Sequence, residues 1–275
     1  MSSTVRPVID SLIRIMNQYI SHQDLIIRAK AVECESRFKS IKLKLNVANI
    51  YQEVIIKMIV DEQKAILDSI HPGTNPSGSI QFSNPIQFVF GEFSPIGSEN
   101  IKEFLASSID YFSYNLKCAL DILATIFRTL YSPQYSNLPE IWKTDIRSMT
   151  DWFHKYKQGD TITGILIDDQ EGIQYPDPGV QRPSYPRDWI QVNWFDTLRR
   201  IRNDAVHKDV FSLINVNFSS KKLIFDSLFF SSTWSYSKMV TDVIFILWTD
   251  AVKILTKLMT ELQSLIISTN TLHLS

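Results

Sequence analysis

An arginine and a histidine lie close together near residue 200, within the run Arg-Asn-Asp-Ala-Val-His at 202–207. The guanidinium of Arg202 can hold a phosphodiester through a bidentate, charge-assisted contact. The imidazole of His207 is the kind of side chain best suited to moving protons near neutral pH. Because these two functions suffice to cleave RNA without a metal ion, the run predicts a site for metal-free RNA cleavage. Short motifs also arise by chance, so the prediction depends on the helices and loops that surround this run.

The helix predicted over 188–207 gives the two side chains different directions. Its inward face holds four apolar residues at helical spacing, namely Trp194, Leu198, Ile201 and Ala205. An ideal helix turns about 100° per residue, so Arg202 and His207 point about 140° apart. They meet on one phosphate if the helix ends or bends near Val206, or if a second subunit completes the site. Both arrangements stay open from the sequence.

The motif and its setting resemble the HEPN superfamily, the ribonucleases of prokaryotic toxin–antitoxin and antiphage systems. An Arg followed directly by a polar residue, with a His five positions after the Arg, lies near the end of the third helix of a predicted four-helix bundle. The resemblance covers about residues 100–268 and leaves 1–99 unexplained. Residues 115–121 are similar to the first core helix of some HEPN families, where an acidic residue faces the Arg and the His. Some HEPN toxins carry a modified Tyr two residues after the His, but this chain has Asp209 there.

The resemblance implies a metal-independent endoribonuclease of a toxin–antitoxin or antiphage defence system. His207 would act as general acid or base, and Arg202 would stabilise charge on the phosphate, an effect of about 2–4 kcal/mol for a preorganised contact. Asn203 would position the phosphate or the imidazole, and Asp121 or, less strongly, Asp110 would orient Arg202 or His207. The resemblance also implies an RNA substrate, a homodimer, an antitoxin or sensor partner, no cofactor and no metal.

The same residues also permit a structural interpretation. Arg202 can form a surface ion pair with Asp204 or Asp209, and His207 can cap the end of its helix, where the macrodipole favours a cation. Asp121 can pair with Lys117 one turn earlier in its helix. The matching alternative function is a catalytically inactive helical module that dimerises or binds a partner protein or a nucleic acid.

Composition limits the class of protein. The chain is 44% hydrophobic and 21% charged, as in ordinary globular proteins, and its net charge of -1 excludes a globally basic nucleic-acid binder. RNA would need a local patch, and residues 28–44 offer six basic residues against two acidic ones, which also fits a solvated helix face. Cys34 and Cys118 are expected to be reduced core thiols, and His154 to lie on a helix surface. We expect no signal peptide and no membrane span, and hence a cytoplasmic protein.

The periodicity of apolar residues predicts a mainly α chain. Helices are predicted over about 5–20, 23–70, 100–131, 139–158, 188–207 and 237–268. A long surface loop is predicted over 159–187, and a β-hairpin of 211–218 with 223–230 before the last helix. Three regions follow, in the order of an N-terminal helical arm (1–72), a connector with short β elements such as 86–90 (73–99), and a four-helix HEPN-like bundle with the hairpin insertion (100–270).

The N-terminal arm carries a second apolar pattern. One face of its long helical stretch holds residues at spacings of four and three, namely Leu43, Val47, Ile50, Val54 and Met58. Such a length suggests either a pair of helices or one extended helix with a coiled-coil-like seam. Simple packing within the chain explains the face, and dimerisation through the arm is the other explanation.

Overall fold

The computed structural model describes residues 4–69, 80–81, 98–131, 145–167, 194–195, 198–199, 201, 214–217, 222–225 and 240–269. Most of them form six helices, which are α1 (Val5–Tyr19), α2 (Leu25–Ser69), α3 (Ser98–Tyr131), α4 (Ile146–Tyr156), α5 (Thr161–Ile167) and α6 (Val240–Thr269). Three short strands are β1 (Ile80–Gln81), β2 (Ile214–Asn217) and β3 (Lys222–Phe225). The prediction of a mainly α chain is confirmed. Helices α1, α2, α3 and α6 begin and end within three residues of their predicted bounds.

Helix α2 is one continuous helix of 45 residues, which decides between the two arrangements that the arm sequence left open. It begins after Asp24, whose carboxylate Oδ1 accepts hydrogen bonds from the backbone N–H of Ile26 at 2.7 Å and of Ile27 at 3.3 Å. These bonds satisfy two of the N–H groups that have no partner within a helix. The stretch contains no Pro or Gly, so no residue interrupts the helical ladder.

Helix α4 begins later than the sequence predicted. Pro139 and the acidic residue after it are typical of a helix start, yet Asp145 has an extended backbone (φ -125, ψ 155) and is the N-cap of a helix that begins at Ile146. The Asp145 carboxylate accepts a hydrogen bond from Ser148 N at 2.9 Å. One continuous helix over 139–158 was therefore wrong, because the capping carboxylate fixes the first turn at Ile146.

Helix α5 lies in a region that was predicted to be loop, and this prediction was wrong for residues 161–167. The preceding helix ends at Tyr156 with Lys157 as its C-cap, and Gly159 follows with a positive φ of 86°, a conformation that favours glycine. The Asp160 carboxylate then accepts a hydrogen bond from Ile162 N at 2.8 Å, and Thr163 donates its hydroxyl to the Lys157 carbonyl at 2.6 Å. These local bonds close a helix of two turns that is too short to show a clear periodicity.

The strands form a small antiparallel sheet in the order β1-β2-β3. Ile214 of β2 lies opposite Phe225 of β3, and Ile80 of β1 lies opposite Val216 of β2. Strand β2 falls in the first run that was predicted to form a hairpin, β3 overlaps the second but begins one residue earlier at Lys222, and β1 falls in the predicted connector. The β-like run at 86–90 lies outside the described residues.

The chain divides into two compact units. The first consists of Met1–Val47, Asn115–Asp196 and Trp248–Ser275, and it is a helical bundle. Polar contacts join its helices: Lys42 Nζ of α2 reaches Asp10 Oδ1 of α1 at 2.7 Å, and Gln263 Nε2 of α6 donates to Ser11 Oγ of α1 at 3.2 Å. Its fully buried apolar residues include Ile9, Leu12, Met16, Phe38, Ile41, Leu45, Leu120, Phe127, Phe153, Leu255 and Leu262. This core supplies most of the driving force for folding of the unit.

Aromatic rings fill the space between α3 and α4 in this first unit. Phe127 meets Phe153 edge to face, with centroids 6.1 Å apart and planes at 89°. Tyr131 makes tilted edge contacts with Phe153 at 5.5 Å and with Trp152 at 6.0 Å. Edge-to-face pairs of this kind add about 0.5–1.5 kcal/mol beyond the burial of their area. They hold α4 against α3 in a defined orientation.

The second unit consists of Ala48–Tyr114 and Thr197–Leu247. It holds the later part of α2, the first part of α3 and the three strands. Tyr51 of α2 stacks on Tyr111 of α3 with centroids 5.2 Å apart and an interplanar angle of 14°. The division of the chain into arm, connector and bundle stays a prediction.

Candidate functional site

The three motif residues Arg202, Asn203 and His207 lie outside the described residues. The described positions just before them, which are 194–195, 198–199 and 201, are helical. Trp194 and Leu198 are fully buried and Ile201 is 2% exposed, as expected for the inward face of the predicted helix. Arg199 is half-buried. Phe195 is also buried, at 6% exposed, and it lies seven residues before Arg202. On a regular helix position 202 is within about 20° of position 195, so the burial of the described residues does not separate Arg202 from the inward side.

Asp121, unlike the three motif residues, lies within the described residues. It lies on α3, and its Oδ2 accepts a hydrogen bond from Lys117 Nζ at 2.6 Å, one turn earlier. Its Oδ1 accepts a hydrogen bond from the backbone N–H of Ile146 at 3.2 Å, across a separation of 25 residues. Both carboxylate oxygens of Asp121 thus have partners inside the first unit.

The contact with Ile146 makes Asp121 a cap for a helix that it does not belong to. Ile146 is the first residue of α4, and its N–H is one of the four that a helix leaves without an internal partner. Asp145 satisfies a second N–H of the same turn, that of Ser148. Two negative carboxylates therefore lie at the positive end of the α4 dipole, where anions are favourable.

The Lys117–Asp121 pair is well shielded from water. The side chain of Lys117 is 14% exposed and that of Asp121 is 23% exposed. Shielding of this degree strengthens the attraction relative to an ion pair in open solvent, where the median contribution is about 0–1 kcal/mol. Asp121 therefore joins two neighbouring helices by charge and by hydrogen bonding. Asp110, the weaker candidate, is half-buried on α3.

The basic stretch at 28–44 does not form one patch. Arg37 donates to Glu33 at 2.5 Å, Lys39 pairs with Glu35, and Lys42 pairs with Asp10 of α1. The basic positions also fall into two groups on opposite sides of the helix: at about 100° per residue, positions 28, 39 and 42 lie within about 60° of one another, and positions 30, 37 and 44 lie within about 40° on the other side. This arrangement supports the interpretation of the stretch as a helix surface with local ion pairs.

The cysteines and His154 lie where the sequence placed them. Cys34 is buried and Cys118 half-buried, and both are free thiols. Burial raises the pKa of the Cys34 thiol to about 12, and the nearby Glu33 carboxylate adds to the rise. Such a thiol is a poor nucleophile at neutral pH. His154 is exposed near the end of α4.

Among the described residues, no group of three or more His, Cys, Asp or Glu side chains is arranged to hold a metal ion. Within the described helices, no stretch combines the length and the apolar character that a membrane span requires.

Comparison with known proteins does not identify a family for this chain. No protein-family model, no curated protein and no solved structure matches the chain. The HEPN resemblance thus depends on the sequence of residues 100–268 alone.

The sequence interpretation missed the cap that Asp121 provides to α4. Pairing with Lys117 follows from a spacing of four residues and was foreseen as the structural alternative. The contact with Ile146 is tertiary, and no local pattern reveals it. One signal was available: Asp145 stands directly before a run that is apolar at helical spacing, which is typical of an N-cap.

Proposed function

We propose that the chain is a metal-independent endoribonuclease of the HEPN type that acts in toxin–antitoxin or antiphage defence. RNA is its substrate. The observation that supports the proposal is the order Arg202-Asn203 followed by His207 in the sequence, after positions 194–195, 198–199 and 201, which are helical.

The chemistry divides between two side chains. His207 removes the proton from the ribose 2′-hydroxyl or protonates the 5′ oxygen that leaves, and a proton transfer of this kind contributes about 10²–10⁴-fold in rate. Arg202 stabilises the extra negative charge of the phosphorane-like transition state through its fork of N–H groups. Asn203 positions the phosphate or the imidazole. The 2′ oxygen displaces the 5′ oxygen, so the products are a 2′,3′-cyclic phosphate and a 5′-hydroxyl.

Asp121 has a different part in this proposal from the one the resemblance implied. Its two oxygens already engage Lys117 and Ile146 N, so we assign it to holding α3 and α4 together. The chemistry then depends on residues 202, 203 and 207 and not on an acidic residue of α3. Substitution of Asp121 is expected to affect folding more than cleavage.

Cleavage of a pool of tRNA and mRNA in the presence of EDTA tests the proposal. Arg202→Ala and His207→Ala should each lower the rate by about 10²-fold or more, since each removes one principal catalytic effect. Arg147→Ala and His154→Ala are matched controls, because they remove an exposed Arg and an exposed His from α4. The controls should cleave as the wild type does. Cleavage that survives both motif substitutions would contradict the proposal.

A catalytically inactive helical interaction module is the second candidate. The pairing of Asp121 with Lys117 favours it, because an acidic residue that serves structure is what a module without catalysis would retain. It predicts that neither the wild type nor any variant cleaves RNA and that Arg202→Ala leaves partner binding unchanged unless Arg202 lies in the interface.

A further inference from the structure

We draw no further inference here: the strongest candidate, the row of exposed aromatic side chains Phe104, Tyr111 and Tyr114 on α3 in the second unit, carries no proposal because nothing in the described part of the structure shows what covers it.

Discussion

Removal of the Asp121 carboxylate should destabilise the protein by loosening α4 from α3. In Asp121→Ala, Ile146 N loses its acceptor and Lys117 loses its partner at 2.6 Å while remaining only 14% exposed. A hydrogen bond to a charged group contributes about 1.5–3 kcal/mol, and a lost helix cap costs about 0.5–2 kcal/mol. The two effects are not fully additive and the pair has some contact with water, so we expect a loss of about 2–4 kcal/mol.

Conservative substitution separates the two contributions. Asp121→Asn keeps an oxygen that can accept from Ile146 N but removes the charge that attracts Lys117, so we expect a loss of about 1–2 kcal/mol. Asp151→Ala is the matched control, because Asp151 is exposed on α4, and it should change stability by less than about 0.5 kcal/mol. Equilibrium urea unfolding measures all three changes, with an unchanged m-value as the check that the unfolding transition is comparable.

The cleavage assay on the same variants distinguishes structure from catalysis. If Asp121 serves folding alone, Asp121→Asn should cleave RNA at close to the wild-type rate at a temperature where it remains folded. A stability loss below about 0.5 kcal/mol for Asp121→Ala would refute the structural role derived from its two contacts. Loss of cleavage by an Asp121→Asn protein that is folded under the assay conditions would indicate that Asp121 takes part in catalysis.

Three further predictions concern single residues outside the motif. Native protein should be alkylated at Cys118 before Cys34, which should react only after unfolding, and mass spectrometry of the digested protein measures both. The pKa of the Cys34 thiol is raised from 9.0 to about 12, so between these pH values the native protein keeps a proton that the unfolded chain loses. The contribution of this thiol to the free energy of unfolding is therefore fully present below pH 9 and falls as the pH rises toward 12. Cys34→Ala should lose less stability over that range than the wild type does in alkaline urea unfolding. Gly159→Ala should cost about 1 kcal/mol in thermal unfolding, because a φ of 86° is unfavourable for a residue with a Cβ. No atom lies within 4 Å of the new Cβ at either Gly159 or Gly164, so the helical Gly164→Ala should be neutral or stabilising. Equal effects of the two substitutions would contradict the backbone argument.

The long helices were predictable because their signals are local and repeat many times. Helix α2 has no Pro or Gly over 45 residues, and each of its turns repeats the apolar spacing. Helix α3 shows the same pattern, with buried residues that include Phe112, Leu116, Leu120 and Phe127. With so many turns in agreement, an error at either end moves a boundary by only a few residues.

The short helices were harder to predict because a few hydrogen bonds decide them. The start of α4 depends on which signal is used: Pro139 is typical of the first position of a helix, whereas Asp145 is typical of an N-cap. Helix α5 depends on the backbone of Gly159 and on one bond from Asp160. Seven residues contain about two turns, so no periodicity stands out against the surrounding loop composition.

The candidate site was predictable only in part, for a related reason. The spacing of Lys117 and Asp121 is within one helix and suggests their pairing directly. The contact of Asp121 with Ile146 bridges 25 residues and depends on how α3 and α4 pack. The roles of Arg202, Asn203 and His207 follow from residue type and order, and they stay predictions.

Analysis of RNA ends after a single-turnover reaction in EDTA tests the central proposal most directly. The proposal predicts that wild-type protein leaves 2′,3′-cyclic phosphate ends and that His207→Ala leaves at least about 10²-fold fewer of them, while His154→Ala matches the wild type. Equal amounts of cyclic phosphate from wild type and His207→Ala would contradict a catalytic role for this histidine. Absence of cleavage by the wild type would favour the helical interaction module.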